Sequence, residues 1–342
     1  MILQNSRNSV NSAYKIICIL ILFSVNTDFL SSRPQETFAS MIVCSLGKAK
    51  KPDAQNEKKV LELLKKYYLP GYFMIDANRQ YYTEYCGRAD DSFLNLLSSD
   101  QPILKKFSTI VHEKAHSFHS IYWNHSHAKG KTTKSGYPAV LVPSRICQDG
   151  NIIWPCDQKH SFYFEDLGVL YSERIQSFPP KTIANSVTVL PLSKGRFEIY
   201  IAGIGGEYGQ DQGINWMLDE YHAYYHDNSA TLALARAGVL PEPNTYYLSY
   251  FEFTYFILHY IVYAQTHDSK LYKRIMSSPG FLSVFVTIHD RFEKVNQQMQ
   301  ENPQLKKTFF PKVQNTIAEY QKILSDKPYS SMMKKIRKRS GR

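Results

Sequence analysis

The sequence predicts an α+β fold in which a β-rich segment separates two long helices. Residues 101–127 carry apolar side chains at the three- and four-residue spacing of a helix with one buried face. Residues 130–212 contain short alternating runs broken by Gly, Pro and Asn, which is the pattern of short strands and turns. A second long helical pattern begins after Gly213 and stops at Gly238.

The composition is that of a folded globular chain. Of the 342 residues, 43% are hydrophobic and 21% are charged, and these values exclude both intrinsic disorder and a multi-span membrane protein. The net charge is +11, and six of the positive charges lie within residues 329–342. We therefore expect a solvated basic tail with at most a weak contact with anionic surfaces, and this distribution argues against a nucleic-acid partner.

The chain divides into five consecutive segments. Residues 1–40 are predicted to be a signal peptide or N-terminal anchor with a spacer, and the other segments follow from helical and strand patterns. The N-terminal region covers 41–129 and is predicted to contain helices at 56–69 and 101–127. The β-rich segment covers 130–212, with an alternating strand at 196–201. The helical region covers 213–328, with helices at 213–238, 241–267, 281–300 and 304–325, and the basic tail covers 329–342.

The N-terminus predicts export. Arg7 and Lys15 precede an apolar run over residues 16–25, which is too short to cross about 30 Å of hydrocarbon as a helix and is typical of a signal peptide. We expect a secreted, periplasmic or extracellular protein. The alternative that stays open is a protein anchored to a membrane by this run.

The cysteines are compatible with an oxidising compartment. Cys147 and Cys156 flank a strong turn signal at Asp149-Gly150, so the two residues can face each other across a hairpin and form a disulfide. Cys44 and Cys86 form the remaining pair by elimination.

The residues that could carry out catalysis lie in an H-E-x-x-H motif. His112, Glu113 and His116 belong to the predicted helix over 101–127, where two imidazoles four residues apart lie on one face and can bind one zinc ion. The carboxylate of Glu113 lies beside them, where it can accept a proton from a zinc-bound water and deliver it to a leaving amine.

The second long helix offers a third ligand. A catalytic zinc needs three protein ligands and one open position, and Glu220 within the sequence Asp219-Glu220-Tyr221-His222-Ala223 supplies a carboxylate on a helix that is expected to cross the first. The small Ala223 permits close packing of the two helices. Asp219 and His222 remain rival third ligands.

Together, the two motifs resemble those of the gluzincin zinc metallopeptidases. The resemblance covers two short helices and implies a zincin-like helical catalytic unit in which the β-rich segment is an insertion between the two zinc-ligand helices. It implies one zinc ion on His112, His116 and Glu220, with Glu113 as general base. Tyr224 stands where several gluzincins have an acidic residue that supports a ligand.

Neighbouring residues on these helices have weaker roles. Tyr224 or Asp227 can hydrogen-bond a ligating imidazole, and His222 and His226 can donate to a developing oxyanion. We expect His119 at the rim of the site, since a fourth protein ligand would close the open position.

A glycine cluster precedes the second long helix. Gly203, Gly205, Gly206 and Gly209 do not match the dinucleotide fingerprint, because Tyr208 occupies the place of its last glycine. We expect these glycines to form a bend that allows a close approach of other groups.

The sequence thus predicts a zinc-dependent hydrolase of peptide or related amide bonds, with a peptide or protein as substrate. Two alternatives stay open. One is a secreted non-catalytic binding protein with a structural or vestigial metal site, and the other is a basic membrane-anchored interaction protein. Glu113 favours the enzyme, because a site that only holds a metal needs no adjacent base.

Overall fold

The computed structural model describes residues 54–86, 103–128, 146–149, 152–155, 159–238, 245–308 and 310–341, which all belong to one compact unit. The helices of six or more residues in these ranges are numbered in chain order. They are α1 Ala54–Tyr67, α2 Leu69–Cys86, α3 Ile103–Ala128, α4 Ile214–Arg236, α5 Ser249–His267, α6 Ser269–Met276, α7 Pro279–Glu301, α8 Pro303–Thr308, α9 Phe310–Ser325 and α10 Lys327–Arg339.

The strands form two antiparallel hairpins in the described part of the chain. They are β1 Ile146–Asp149, β2 Ile152–Pro155, β3 Lys159–Phe164 and β4 Gly168–Glu173. β1 pairs with β2 and β3 pairs with β4, each in its own two-stranded sheet. The fold is therefore mostly helical with a small strand content, which agrees with α+β only in this coarse sense.

The β-rich prediction fails beyond β4. The described residues from 174 to 212 contain short helical turns and no strand: Pro180–Ser186, Pro191–Ser193, Lys194–Arg196, Phe197–Ile201 and Glu207–Gln210. The predicted strand at 196–201 is wrong, because its backbone forms a helical turn that buries Tyr200 and Ile201 while Ile199 is 40% exposed. A further short turn, Thr245–Leu248, precedes α5.

The two long helices that flank this region pack against each other. The stripe predicted for α3 is buried: Phe107, Val111, Ala115 and Phe118 are all 0% exposed. They share an apolar cluster with α1, α2 and Ala223 of α4, so the small residue does lie at the helix contact. Complete burial of each large side chain contributes about 1.5–3 kcal/mol to folding.

The ends of these elements follow local chemistry. α4 ends where Gly238 takes a positive φ of 78°, which only glycine adopts at low cost. β3 packs on α3 and β4 on α7, so the second hairpin lies beside the helix that carries His112 and His116.

The predicted basic tail is part of the folded unit. Residues 327–339 form helix α10, which buries Met332 and Ile336 one turn apart. Arg337 forms an ion pair with Asp290 of α7, and Arg339 donates a hydrogen bond of 2.9 Å to the carbonyl of Met276. The prediction of a solvated tail after the last helix is wrong.

Several N-terminal and cysteine predictions lie outside the described residues. The apolar run at 16–25 and Cys44 belong to this part of the chain, as does Cys156. The predicted hairpin around Asp149 is present, and its register pairs Cys147 with Trp154. Among the described helices, none has an apolar stretch long enough to cross a bilayer.

Candidate metal centre

The rings of the two histidines of the H-E-x-x-H motif lie close together. His112 and His116 lie one turn apart on α3, and their Nε2 atoms are 3.1 Å apart. The side chain of His112 is 10% exposed and that of His116 is 23% exposed. His116 is therefore the more exposed of the two rings.

Glu220 completes this group from α4. Its Oε2 atom lies 3.5 Å from Nε2 of His112 and 3.6 Å from Nε2 of His116. Among the described residues, this oxygen has no hydrogen-bond partner, although it is buried. Burial would raise the pKa of Glu220, but the neighbouring imidazoles of His116 and His112 outweigh it and hold the pKa well below its usual range.

These three side chains can hold a metal ion. Their ligand atoms lie within 4.8 Å of one another, and two imidazole nitrogens and one carboxylate oxygen form a donor set suited to a divalent cation. A buried carboxylate oxygen without a partner is costly unless a positive charge is supplied. The orphaned Oε2 of Glu220 therefore fits the presence of an ion at this point.

Trp216 fixes the other oxygen of Glu220. Its indole Nε1 donates a hydrogen bond of 3.0 Å to Oε1, one turn earlier on α4. The ring lies against the predicted glycine bend: a Cβ on Gly209 would meet ring atoms of Trp216 at 2.0 Å. The bend predicted from the glycines is thus present, and it makes room for the residue that orients Glu220.

Asp219 contacts the opposite side of His116. Its Oδ1 lies 2.9 Å from Nδ1 of that ring, while Nε2 faces Glu220. A carboxylate in this position favours the Nδ1–H tautomer and makes Nε2 the unprotonated nitrogen that can bind a metal. Asp219 also forms a second group with His116 and His119 whose ligand atoms could hold a metal ion, so it stays a rival of Glu220 as a ligand.

Glu113 lies on the solvent side of α3. Its side chain is exposed, and it has no hydrogen bond or ion pair with the other described residues. Its charge raises the pKa of Asp227, so the two carboxyl groups are within electrostatic range. The structure thus places Glu113 next to the metal group in the chain and open to water.

The aromatic residues beside His112 form a hydrogen-bonded pair. The ring of Tyr224 meets that of His112 edge-on, with centroids 4.5 Å apart, and its hydroxyl lies 2.9 Å from that of Tyr200. Behind this pair, the buried guanidinium of Arg196 is bonded to the fully buried carboxylate of Glu252. Tyr224 thus packs edge-on against the ring of His112.

Asp227 lies one turn beyond Tyr224 and is 2% exposed. Burial is the main cause that raises its pKa, while His112 and a hydrogen bond with Ser108 act in the opposite direction. Its Oδ1 atom has no hydrogen-bond partner among the described residues. Asp227 thus lies within electrostatic range of His112, and the predicted hydrogen bond to an imidazole stays a prediction.

The other histidines predicted near the site, His119, His222 and His226, are buried inside the protein. His222 and His226 are 0% exposed and His119 is 1% exposed, so His119 does not lie at the rim as expected. Both ring nitrogens of His222 contact other protein groups: Nδ1 lies 2.7 Å from His119, and Nε2 lies 3.0 Å from the carbonyl of Tyr163. The structure therefore does not offer His222 or His226 as oxyanion donors, and it does not bring His222 to the metal group.

Two contributors to the site carry no sequence motif. Trp216 lies one helical turn before Glu220, which is the only signal that could have indicated their hydrogen bond. Tyr163 contributes a backbone carbonyl from β3, and a backbone atom leaves no trace in the sequence. Such groups are brought to the site by the tertiary fold alone.

Comparison with known proteins does not assign the chain to a family: no protein-family model, no curated protein and no solved structure matches it.

Proposed function

We propose that the chain is a zinc-dependent peptidase that hydrolyses peptide or related amide bonds. The observation that carries the proposal is the convergence of His112, His116 and Glu220 around an unpartnered carboxylate oxygen. Export remains a further proposal, and it rests on the sequence of residues 1–40 alone.

The spacing of the ligand atoms supports zinc. Ligands about 2.0–2.1 Å from a tetrahedral zinc ion lie about 3.3–3.4 Å from one another. The three separations here are 3.1, 3.5 and 3.6 Å. Three protein ligands leave one position open, which distinguishes a catalytic from a structural zinc site.

The residues around the site have complementary tasks. A zinc ion bound there would polarise a substrate carbonyl and make a water molecule more acidic. Glu113, exposed and one residue from His112, would accept the proton of that water and pass it to the leaving amine. Trp216 and Asp219 would hold Glu220 and His116 in place.

The alternative is a binding protein that uses the same group as a structural or vestigial metal site. The observation in its favour is that Glu113 has no bond to the metal group among the described residues. Both functions require the metal, but only the peptidase requires the base.

Metal content and hydrolysis, measured on the same preparations, separate the two functions. Purified full chain should contain about one zinc ion and cleave a mixture of internally quenched peptides. His116→Ala should lose the metal, whereas His267→Ala, which changes an exposed histidine of α5, should keep it. Retention of full zinc by the His116 variant would exclude the site.

Glu113→Gln tests the base directly. The amide keeps the size of the side chain but cannot take a proton, so zinc should stay bound while hydrolysis falls by about 10²–10⁴-fold. Glu220→Ala should lose both zinc and activity, because it removes a ligand. A wild-type chain that binds one zinc ion and cleaves none of the peptides would favour the binding protein.

A further inference from the structure

A buried row of polar side chains continues from the metal group into the protein. We call it the histidine chain, and it consists of His119, His222, His226 and Tyr68. We propose that the histidine chain, acting through Asp219, fixes the tautomer and ring orientation of His116. The proposal rests on the metal site proposed above and assigns its members as positioning residues that touch neither metal nor substrate.

The contacts run without a gap from α3 to the start of α2. Nδ1 of His119 lies against Oδ1 of Asp219, the same oxygen that contacts His116. Nε2 of His119 lies 2.7 Å from Nδ1 of His222. The Nε2 atoms of His222 and His226 are 3.1 Å apart.

The far end of the chain is closed by Tyr68. Its hydroxyl is hydrogen-bonded to Nδ1 of His226. The carbonyl of Tyr163 lies 3.0 Å from Nε2 of His222 and 3.1 Å from Nε2 of His226. This carbonyl and the two rings form a triangle of close polar atoms inside the fold.

The groups at the two ends, Asp219 and Tyr68, favour the same direction of hydrogen bonding, from Tyr68 towards Asp219. A carboxylate only accepts, so Nδ1 of His119 carries the proton that faces Asp219. A neutral imidazole has one N–H, so Nε2 of His119 must accept from Nδ1–H of His222. At the other end, the hydroxyl of Tyr68 donates to Nδ1 of His226.

These tautomers supply one proton for each link between the side chains, whereas the contact of 3.0 Å between Nε2 of His222 and the carbonyl of Tyr163 joins two acceptors and is not a hydrogen bond in this arrangement. With Nδ1 of His226 accepting, its Nε2–H is shared between the carbonyl of Tyr163 and Nε2 of His222. Each hydrogen bond thus points towards Asp219. The carboxylate of Asp219 is hydrogen-bonded to Nδ1 of His116 and lies against Nδ1 of His119, whose proton would face it. Nε2 of His116 is then the unprotonated nitrogen that faces the metal group.

The surroundings keep the imidazoles neutral. His119 and His222 are 1% and 0% exposed, and a charged imidazole is costly without contact with water. The close contact between their rings adds to this, since two adjacent imidazoles cannot both be charged at low cost. Burial lowers the pKa of His226 to about 3. A neutral chain with fixed tautomers is therefore the expected state near pH 7.

A second metal ion is the competing explanation for the pair His222 and His226. Their Nε2 separation of 3.1 Å equals that of His112 and His116. The third donor there is a backbone carbonyl, however, and both imidazoles are 0% exposed. A divalent cation would enter a buried site without a carboxylate, which is a large desolvation cost. Hydrogen bonding accounts for the same geometry without this cost.

Two substitutions at His119 test the positioning role. The amide of Asn places its N–H near Nδ1 of the imidazole, whereas the amide of Gln places its N–H near Nε2. His119→Asn keeps the donor that faces Asp219, and His119→Gln removes it. We expect His119→Gln to lower zinc affinity by about 10-fold or more, and His119→Asn to lose clearly less.

The measurements use the purified full chain. Zinc affinity is determined by competition with a chelator, and thermal unfolding of the metal-free variants controls for folding. Equal zinc affinity in the Asn and Gln variants would overturn the proposal, because it would reduce His119 to a packing residue. Two zinc ions in the wild type, with one lost in His226→Ala, would overturn it as well.

The tautomers can be observed without any metal. Nitrogen NMR of the metal-free protein should show the Nδ1–H form for His119 and His222 and the Nε2–H form for His226. In Tyr68→Phe, a mild change that removes one hydroxyl, the signals of His226 and His222 should shift. The Nε2–H form of His119 in the wild type would refute the chain. If these tautomers are present and zinc does not bind, the proposed function fails while the chain stands.

Discussion

A single methyl group added at Gly209 should disturb the metal site by displacing Trp216. A Cβ at residue 209 would lie 2.0, 2.1 and 2.3 Å from three ring atoms of Trp216. To restore an ordinary contact of about 3.4 Å, the ring must move by about 1.4 Å. Trp216 is 2% exposed, with Tyr200 against it at a centroid distance of 5.4 Å, so the ring has little room to retreat.

The expected effect of Gly209→Ala has two parts. Overpacking of a filled interior costs about 1–3 kcal/mol of folding stability. The displaced indole also loses its hydrogen bond of 3.0 Å to Glu220, which frees a metal ligand to rotate. Loss of a group that orients a ligand lowers metal affinity by about 10–100-fold, which corresponds to about 1.4–2.8 kcal/mol.

Gly195→Ala is the matched control. It makes the same change about one turn before Tyr200, where an added Cβ meets no atom within 4 Å. The control should have the wild-type Tm in thermal unfolding of the metal-free protein and the wild-type zinc affinity in chelator competition. In Gly209→Ala, both the Tm and the zinc affinity should be lower.

Trp216→Phe separates the hydrogen bond from the packing. The smaller ring keeps much of the apolar contact but has no N–H, so zinc affinity should fall by about 10-fold even if Gly209→Ala does not fold. Wild-type zinc affinity in a folded Trp216→Phe protein would refute the argument that the indole orients Glu220.

Two further predictions concern ion pairs away from the ligands. Arg196→Met should lower the free energy of unfolding by about 3–5 kcal/mol, because it leaves the fully buried carboxylate of Glu252 without its partner. Changing Glu252 to Leu as well should recover most of that loss in denaturant unfolding. No recovery in the double variant would contradict this account. Burial raises the pKa of Asp290, but hydrogen bonds from His289 and Arg337 outweigh it and lower the pKa from 3.8 to about 2, so the stability of this pair is present above pH 3.8 and is lost as the pH falls towards 2. The Tm deficit of Arg337→Gln should therefore be largest above pH 3.8 and shrink towards pH 2, and a deficit independent of pH would show that the packing of α10 dominates.

The long helices could be predicted from the sequence because their buried faces are regular. The apolar stripe that includes Phe107 and Phe118 repeats every three to four residues, and the observed helix Ile103–Ala128 agrees with the prediction within two residues at its start and one at its end. Gly238 likewise marks the end of α4. These signals are local, so no knowledge of the tertiary fold is needed to interpret them.

The errors arise where burial does not follow the local pattern. Residues 196–201 alternate like a strand, yet the side chains that become buried are the neighbours Tyr200 and Ile201. In α10, the abundant Lys and Arg indicate a solvated tail, whereas the burial of Met332 and Ile336 packs the helix against the core. In both cases a contact with distant residues decides the conformation, and short runs do not reveal it.

The metal group and the histidine chain differ in the same way. His112, His116 and Glu220 belong to motifs whose spacing has a chemical meaning, so they could be predicted one by one. The contact between His119 and His222 joins residues 103 positions apart, and it exists only because α3 and α4 pack together. No pattern within either helix indicates it.

The neighbours Asp219 and Glu220 show how one helix can define both sides of a ligand. Consecutive residues on an α-helix differ by about 100° around its axis, so two adjacent carboxylates point in different directions. Here Glu220 faces Nε2 of His116 at 3.6 Å, and Asp219 faces Nδ1 of the same ring at 2.9 Å. The contact of His119 with His222 repeats the 103-residue separation of His116 and Asp219 one turn further along both helices. The packing that brings the metal ligands together therefore also aligns the histidine chain, and a shift of α4 by one residue along α3 would break both sets of contacts at once.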